Sequence, residues 1–202
     1  MPPAVTAGTG LDALTQCLEP FISHLATPLS DGFCREELRR AARSLRRAFL
    51  DGSDVEARQD MALASLCGGL ALDNAKLGAV HSFCGPVRRA PRRRLRAPVA
   101  FCNGGQCARP AGTHPRRTGP DPYREATAIL TGDAAAEVAD GIAWIQAIAE
   151  ELAVPGLADY GITQDHFTPV LALALALALA IPSNSMQGNP IGLTEAELTA
   201  VL

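Results

Sequence analysis

Asp12 and Gln16 stand four residues apart, a spacing that puts both side chains on one face of a helix. One offers a carboxylate oxygen and the other an amide oxygen. Leu11, Leu14, Leu18 and Phe21 form an apolar stripe beside that face. The same pattern also describes an amphipathic surface helix in which Thr9 is the N-cap and Asp12 the acidic third residue. A second place for chemistry is His81, in a stretch where Asp73 and Lys76 are the only charges between Met61 and Phe83. Its neutral ring offers one lone pair, and a lone His on an apolar helix is more often a satisfied core histidine than a metal ligand. Glu150 and Glu151 are adjacent, so on a helix they point apart and make no acid–base pair.

The elements that must position these residues read as helices. Residues 1–8 show no strand pattern. A first helix is expected over roughly 10–25, and a loop at 27–31 ends in a capping signal. A second helix, about 31–50, turns Phe33, Leu38, Ala42, Leu45 and Phe49 one way and Arg39, Arg40, Arg43, Arg46 and Arg47 the other, as a solvated face. Ser53 and Glu56 form a capping box for a third helix, about 54–82. Its scarcity of charge reads as a central helix buried on nearly all sides. Gly68, Gly69 and Gly78 would each cost about 1 kcal/mol against Ala in a helix interior, which is reasonable where another backbone or a ligand packs closely. Helices are expected again at 123–130 and 134–153, the latter with Val138, Ile142, Ile145, Ile148 and Leu152 inward and Trp144 at its edge. Leu and Ala alternate over 171–180, and both are strong helix formers. Thr194 and Glu197 cap a last helix over 195–202. The fold class is therefore all-α, a helical bundle.

Composition bounds the rest. Hydrophobic content of 48% over 202 residues supports one sizeable core, and aromatics at 4% require that it be built from aliphatic side chains. The net charge of −3 makes no case for a nucleic-acid partner. No apolar run reaches the roughly 20 residues that span a bilayer, and the N-terminus has no signal-peptide pattern. Six cysteines, three of them inside helical patterns, read as reduced thiols in a cytoplasmic protein. Cys102 and Cys107, with His114 downstream, do not have zinc-site spacing.

Certain phrases of the sequence carry more than periodicity. Thr-Gly-x-Asp-Ala-Leu-Thr-x-Cys-x-Glu at Thr9–Glu19, Gly68-Gly69-Leu70-Ala71-Leu72, Leu77-Gly78-Ala79-Val80-His81, and Ser185-Met186-Gln187-Gly188-Asn189-Pro190-Ile191 resemble the C-terminal helical domain of the iron-containing (group III) alcohol dehydrogenases, a family that includes maleylacetate reductase-like members. The resemblance covers 5–85, 123–167 and 183–202. It implies a metal- and NAD(P)-dependent oxidoreductase that interconverts an alcohol with an aldehyde or ketone. It implies that Asp12 and His81 are metal ligands. Gln16 stands where the family has a further His, and Gly85 where it often has another. Neutral imidazole and carboxylate suit Fe²⁺ or Zn²⁺, and an amide oxygen is a weaker third donor. A maleylacetate reductase-like activity is the alternative within the family, because its members can depart from the full ligand set. A non-catalytic helical fragment is the alternative outside it. A homodimer stays open.

The resemblance fails between 86 and about 120. Nine of the 18 Lys and Arg residues fall in 88–117, and Pro86, Pro91, Pro98, Pro110 and Pro115 break any regular element there. Aromatic interleaving is nearly absent, which argues against an arginine-rich nucleic-acid arm. GC-rich coding sequence read one base out of frame gives this composition, and on that reading the displaced frame starts after Gly85 and is restored near Tyr123. The family's third ligand, a His in a Pro-His-Gly turn, is then missing. Three segments result: a first helical part at 1–85, an irregular Arg/Pro-rich segment at 86–122, and a second helical part at 123–202. No strand followed by a Gly-rich phosphate-binding turn occurs in the sequence. The N-terminal nucleotide-binding domain is thus expected to be absent and the chain catalytically incomplete.

Overall fold

The computed structural model describes residues 1–82, 121–156, 159 and 185–190. Among these all regular structure is helical: α1 (Pro3–Ile22), α2 (Pro28–Leu50), α3 (Val55–Ala75), α4 (Pro122–Thr131), α5 (Val138–Glu151) and a 3₁₀ turn at Ser185–Gly188. A further helix starts at Ala79. The expected helices at 171–180 and 195–202, the arginine-rich segment and the frame change lie outside the described residues.

The apolar stripe of α1 is its buried side. Leu11, Leu14, Cys17, Leu18 and Phe21 meet Cys34, Leu38, Ala41 and Leu45 of α2, Ala126 and Leu130 of α4, and Ile145 and Ile148 of α5 in one core. α1 begins earlier than expected, with Pro3 at a position where its missing N–H costs nothing. Thr9 is therefore not a cap; its hydroxyl donates back to the Val5 carbonyl. α2 begins at Pro28, because Thr27 and Ser30 close a reciprocal cap: the Thr27 N–H donates to Ser30 Oγ and the Ser30 N–H to Thr27 Oγ1. Asp54, not Ser53, caps α3 by accepting the Ala57 N–H at 3.0 Å. Gly132, at φ 75°, ends α4 in the left-handed region.

Two expectations about side-chain environment need correction. The arginines of α2 are only partly a solvated face. Arg40 and Arg43 both donate to the buried carboxylate of Asp60 on α3, at 2.7 and 2.6 Å. Arg46 pairs with Glu151 and stacks over Trp144, and Arg35 pairs with Glu125 of α4. The helix α3 is not buried all round. Its inner stripe is Ala57, Asp60, Ala64, Gly68, Ala71 and Ala75, small residues that let α2 approach closely. Leu63, Leu66 and Leu70 lie on its exposed side. No helix among the described residues is long and apolar enough to cross a membrane.

Candidate metal centre

Asp12, Gln16 and Glu19 occupy one face of α1, since steps of four and three residues return to nearly the same direction. The opposite face is locked in the core, so the three side chains are presented by a rigid element. What they face is the junction after α3. Ala75 is the last residue of that helix, and its carbonyl accepts the Ser23 hydroxyl at 2.6 Å. This bond ties the end of α3 to the end of α1.

The chain then breaks instead of continuing to residue 82 as one helix. Lys76 adopts φ 62°, and the helix restarts at Ala79. The break has a physical cause in the partners available to the new N-terminus, where backbone N–H groups lack intrahelical acceptors. Val80 N–H donates to Glu19 Oε1 at 2.7 Å. Ala79 N–H donates to Asn189 Oδ1 at 3.4 Å. Gly78 must be small, for a Cβ there would lie 2.9 Å from Glu19 Oε1 and 3.1 Å from Asn189 Oδ1. Gly188 is tighter still, for a Cβ there would overlap the Leu77 carbonyl oxygen. The Asn189 carbonyl accepts from His24 Nδ1 at 2.9 Å, which gives that ring its Nδ1–H form.

His81 therefore sits in the first turn of the helix that starts at Ala79, clamped at its N-terminus. Its Nδ1 is 2.6 Å from Glu19 Oε2, and its Nε2 is 3.8 Å from Asp12 Oδ1. The His81 side chain is 13% exposed and that of Asp12 38%, so the pair lies at a surface opening with the imidazole inside. Burial lowers the basicity of His81, but its hydrogen bond to Glu19 and the charges of Glu19 and Asp12 outweigh it and leave the pKa raised. Gln16 lies one turn beyond Asp12, half-buried.

The donor set fits part of a divalent-metal site. Bonds of about 2.0–2.2 Å from one ion to a nitrogen and an oxygen span at most about 4 Å, so donors 3.8 Å apart can share an ion. Imidazole with its second nitrogen on a carboxylate is the usual arrangement around a bound metal. Among the described residues no group of three or more His, Cys, Asp or Glu side chains could hold an ion. A third donor is then either the Gln16 amide or a group outside them. Sequence reasoning brought Asp12, Gln16 and His81 forward and missed Glu19. A signal was present: Glu19 is charged, lies seven residues after Asp12, and sits between Leu18 and Phe21 of the apolar stripe. It is 2% exposed.

A helical domain with a carboxylate–imidazole pair at its opening is the class this geometry defines. Residues 6–90 match the Fe-containing alcohol dehydrogenase family, C-terminal. Long-chain-alcohol dehydrogenase 1 of Geobacillus thermodenitrificans is 47% identical over 87 residues, which is 43% of this chain and 22% of that protein. Choline dehydrogenase of Bacillus subtilis is 31% identical over 176 residues, covering 82% of this chain and 41% of the relative. The crystal structure of a 1,3-propanediol oxidoreductase superposes with a TM-score of 0.84 at 28% identity, over 100% of this chain and 51% of that one. Residues 6–90 thus belong to the iron-containing alcohol dehydrogenase family, and the chain carries the helical fold of that family's C-terminal half. It spans about half the length of the solved relative and less of the sequence relatives it matches.

Proposed function

We propose that this chain supplies the metal-holding half of a metal- and NAD(P)-dependent oxidoreductase that interconverts alcohols and aldehydes or ketones by hydride transfer. The observation that carries the reading is the approach of Asp12 Oδ1 to His81 Nε2, 3.8 Å apart, with the other imidazole nitrogen already bonded. Asp12, His81 and, more weakly, Gln16 would hold Fe²⁺ or Zn²⁺. The bound ion would act as a Lewis acid on the alcohol or carbonyl oxygen. Asp12 contributes negative charge that offsets the ion's. His81 contributes a neutral donor from a ring that cannot rotate without breaking its bond to Glu19. The described residues do not fit NAD(P): their regular structure is all helical, whereas dinucleotide phosphates rest on a strand–turn–helix unit. The nucleotide enters only through the half of the relatives that this chain does not span.

Gln16 favours a second reading inside the same family. An amide in place of imidazole weakens a metal site, which suits a maleylacetate reductase-like activity with lower demand for the ion. Titration with Co²⁺, Fe²⁺ and Zn²⁺ tests the first reading. Asp12→Ala is expected to weaken binding at least tenfold with an unchanged thermal midpoint. Equal binding by both proteins would remove the metal assignment.

A further inference from the structure

Glu19 contributes to the core in no ordinary way. A carboxylate 2% exposed is costly unless its oxygens are bonded. Both are: Oε1 accepts the Val80 N–H at 2.7 Å, and Oε2 lies 2.6 Å from His81 Nδ1. One side chain of α1 thus holds the ring of His81, which faces Asp12, and the backbone N–H of Val80 just before it. Gly78, by lacking a Cβ, leaves the space in which that carboxylate sits.

We propose that Glu19 is the positioning residue of this site, fixing His81 as the Nδ1–H tautomer so that the Nε2 lone pair is directed at the space beside Asp12. The proposal rests on the metal reading and deepens it. A carboxylate can only accept at Oε2, so the neutral imidazole must place its proton on Nδ1. Nε2 is then left as a lone pair, the form that a metal needs. The competing arrangement is a plain charge cluster, in which both ring nitrogens carry protons and Nε2–H points at Asp12. That cluster would bind no cation through His81.

The two arrangements separate by nitrogen NMR of the metal-free chain at mildly alkaline pH, with the His81 signals assigned by their loss in His81→Gln. Wild type is expected to show a protonated Nδ1 and an unprotonated Nε2. Glu19→Gln keeps the shape and the acceptor for Val80 but turns an NH₂ donor toward Nδ1. It is expected to move the proton to Nε2 and to weaken Co²⁺ binding about 10–100-fold. Glu19→Asp keeps the acceptor chemistry and should retain the wild-type tautomer with a smaller loss of affinity. A wild-type ring carrying its proton on Nε2, or on both nitrogens, overturns the proposal without recourse to any variant. So does a Glu19→Gln protein with unaltered tautomer and unaltered Co²⁺ affinity. Should Asp12→Ala bind Co²⁺ as wild type does, the metal reading fails while the tautomer result stands. Should Asp12→Ala lose binding and Glu19→Gln keep it, the positioning role alone fails.

Discussion

Glu37 poses at the residue scale a problem opposite to that of Glu19. It lies on the inner side of α2, fully buried, and neither carboxyl oxygen has a hydrogen-bond partner of ordinary geometry. Burial pushes its pKa up to about 9, with only slight relief from the Cys17 thiol. Gly68 gives the side chain its room, since a Cβ there would lie 2.8 Å from Glu37 Oε2. The native chain therefore holds a proton at Glu37 that the unfolded chain releases above the ordinary value of 4.5. Because the native state binds the extra proton, this contribution to stability is complete below 4.5 and is lost as pH rises toward about 9. Glu37→Met removes the titrating group while nearly preserving volume. It is expected to be more stable than the native chain at neutral pH, and its lead should grow by about 1.4 kcal/mol per pH unit across that window. Urea denaturation of both proteins at several pH values provides the check, and parallel stability curves would sink the idea.

Among the elements, α1 and α2 were legible because their faces differ in polarity. The leucines of α1 and the arginines of α2 mark sides that the fold uses. α3 was not legible for the same reason inverted: its faces differ in size, with Ala and Gly inward and Leu63, Leu66 and Leu70 outward, and a hydrophobicity pattern cannot separate them. The end of α3 was missed because nothing at Lys76 announces a break. Only the carboxylate of Glu19 and the amide of Asn189 make a new helix start worthwhile, and both are remote in sequence. Asp12 and His81 were joined by resemblance alone; no spacing rule links residues so far apart. The break at Lys76 carries its own prediction. With φ 62° and ψ 179° it occupies a region that suits Gly and costs other residues about 1–3 kcal/mol. Lys76→Gly should therefore raise the thermal midpoint by a few degrees, roughly 2–4 °C per kcal/mol for a chain of this size, and leave metal affinity as it was. A lowered midpoint in a scanning calorimeter would show that the lysine side chain, not the backbone, governs the junction.

For the whole molecule the question is how much of a catalytic cycle these helices can perform. Hydride transfer requires donor and acceptor carbons held within a few ångströms, and most of the rate comes from that alignment and from charge stabilisation at the oxygen. On the proposed function the described helices would meet the second requirement, through Asp12, His81 and the Glu19 clamp. The chain spans 51% of the 1,3-propanediol oxidoreductase that it superposes on, and the proposed function leaves the first requirement to the part of that relative it does not span. The two needs are separable, so the 202-residue chain assayed alone should bind Co²⁺ or Fe²⁺ yet reduce NAD⁺ with 1,3-propanediol no faster than background. Joined to the N-terminal half of that solved relative, it should gain NAD⁺-linked turnover that Asp12→Ala and His81→Ala each abolish. Robust turnover by the chain alone would show that its own residues bind the nucleotide. Turnover by the fusion that survives both substitutions would place the oxygen-stabilising group elsewhere than at the α1 face.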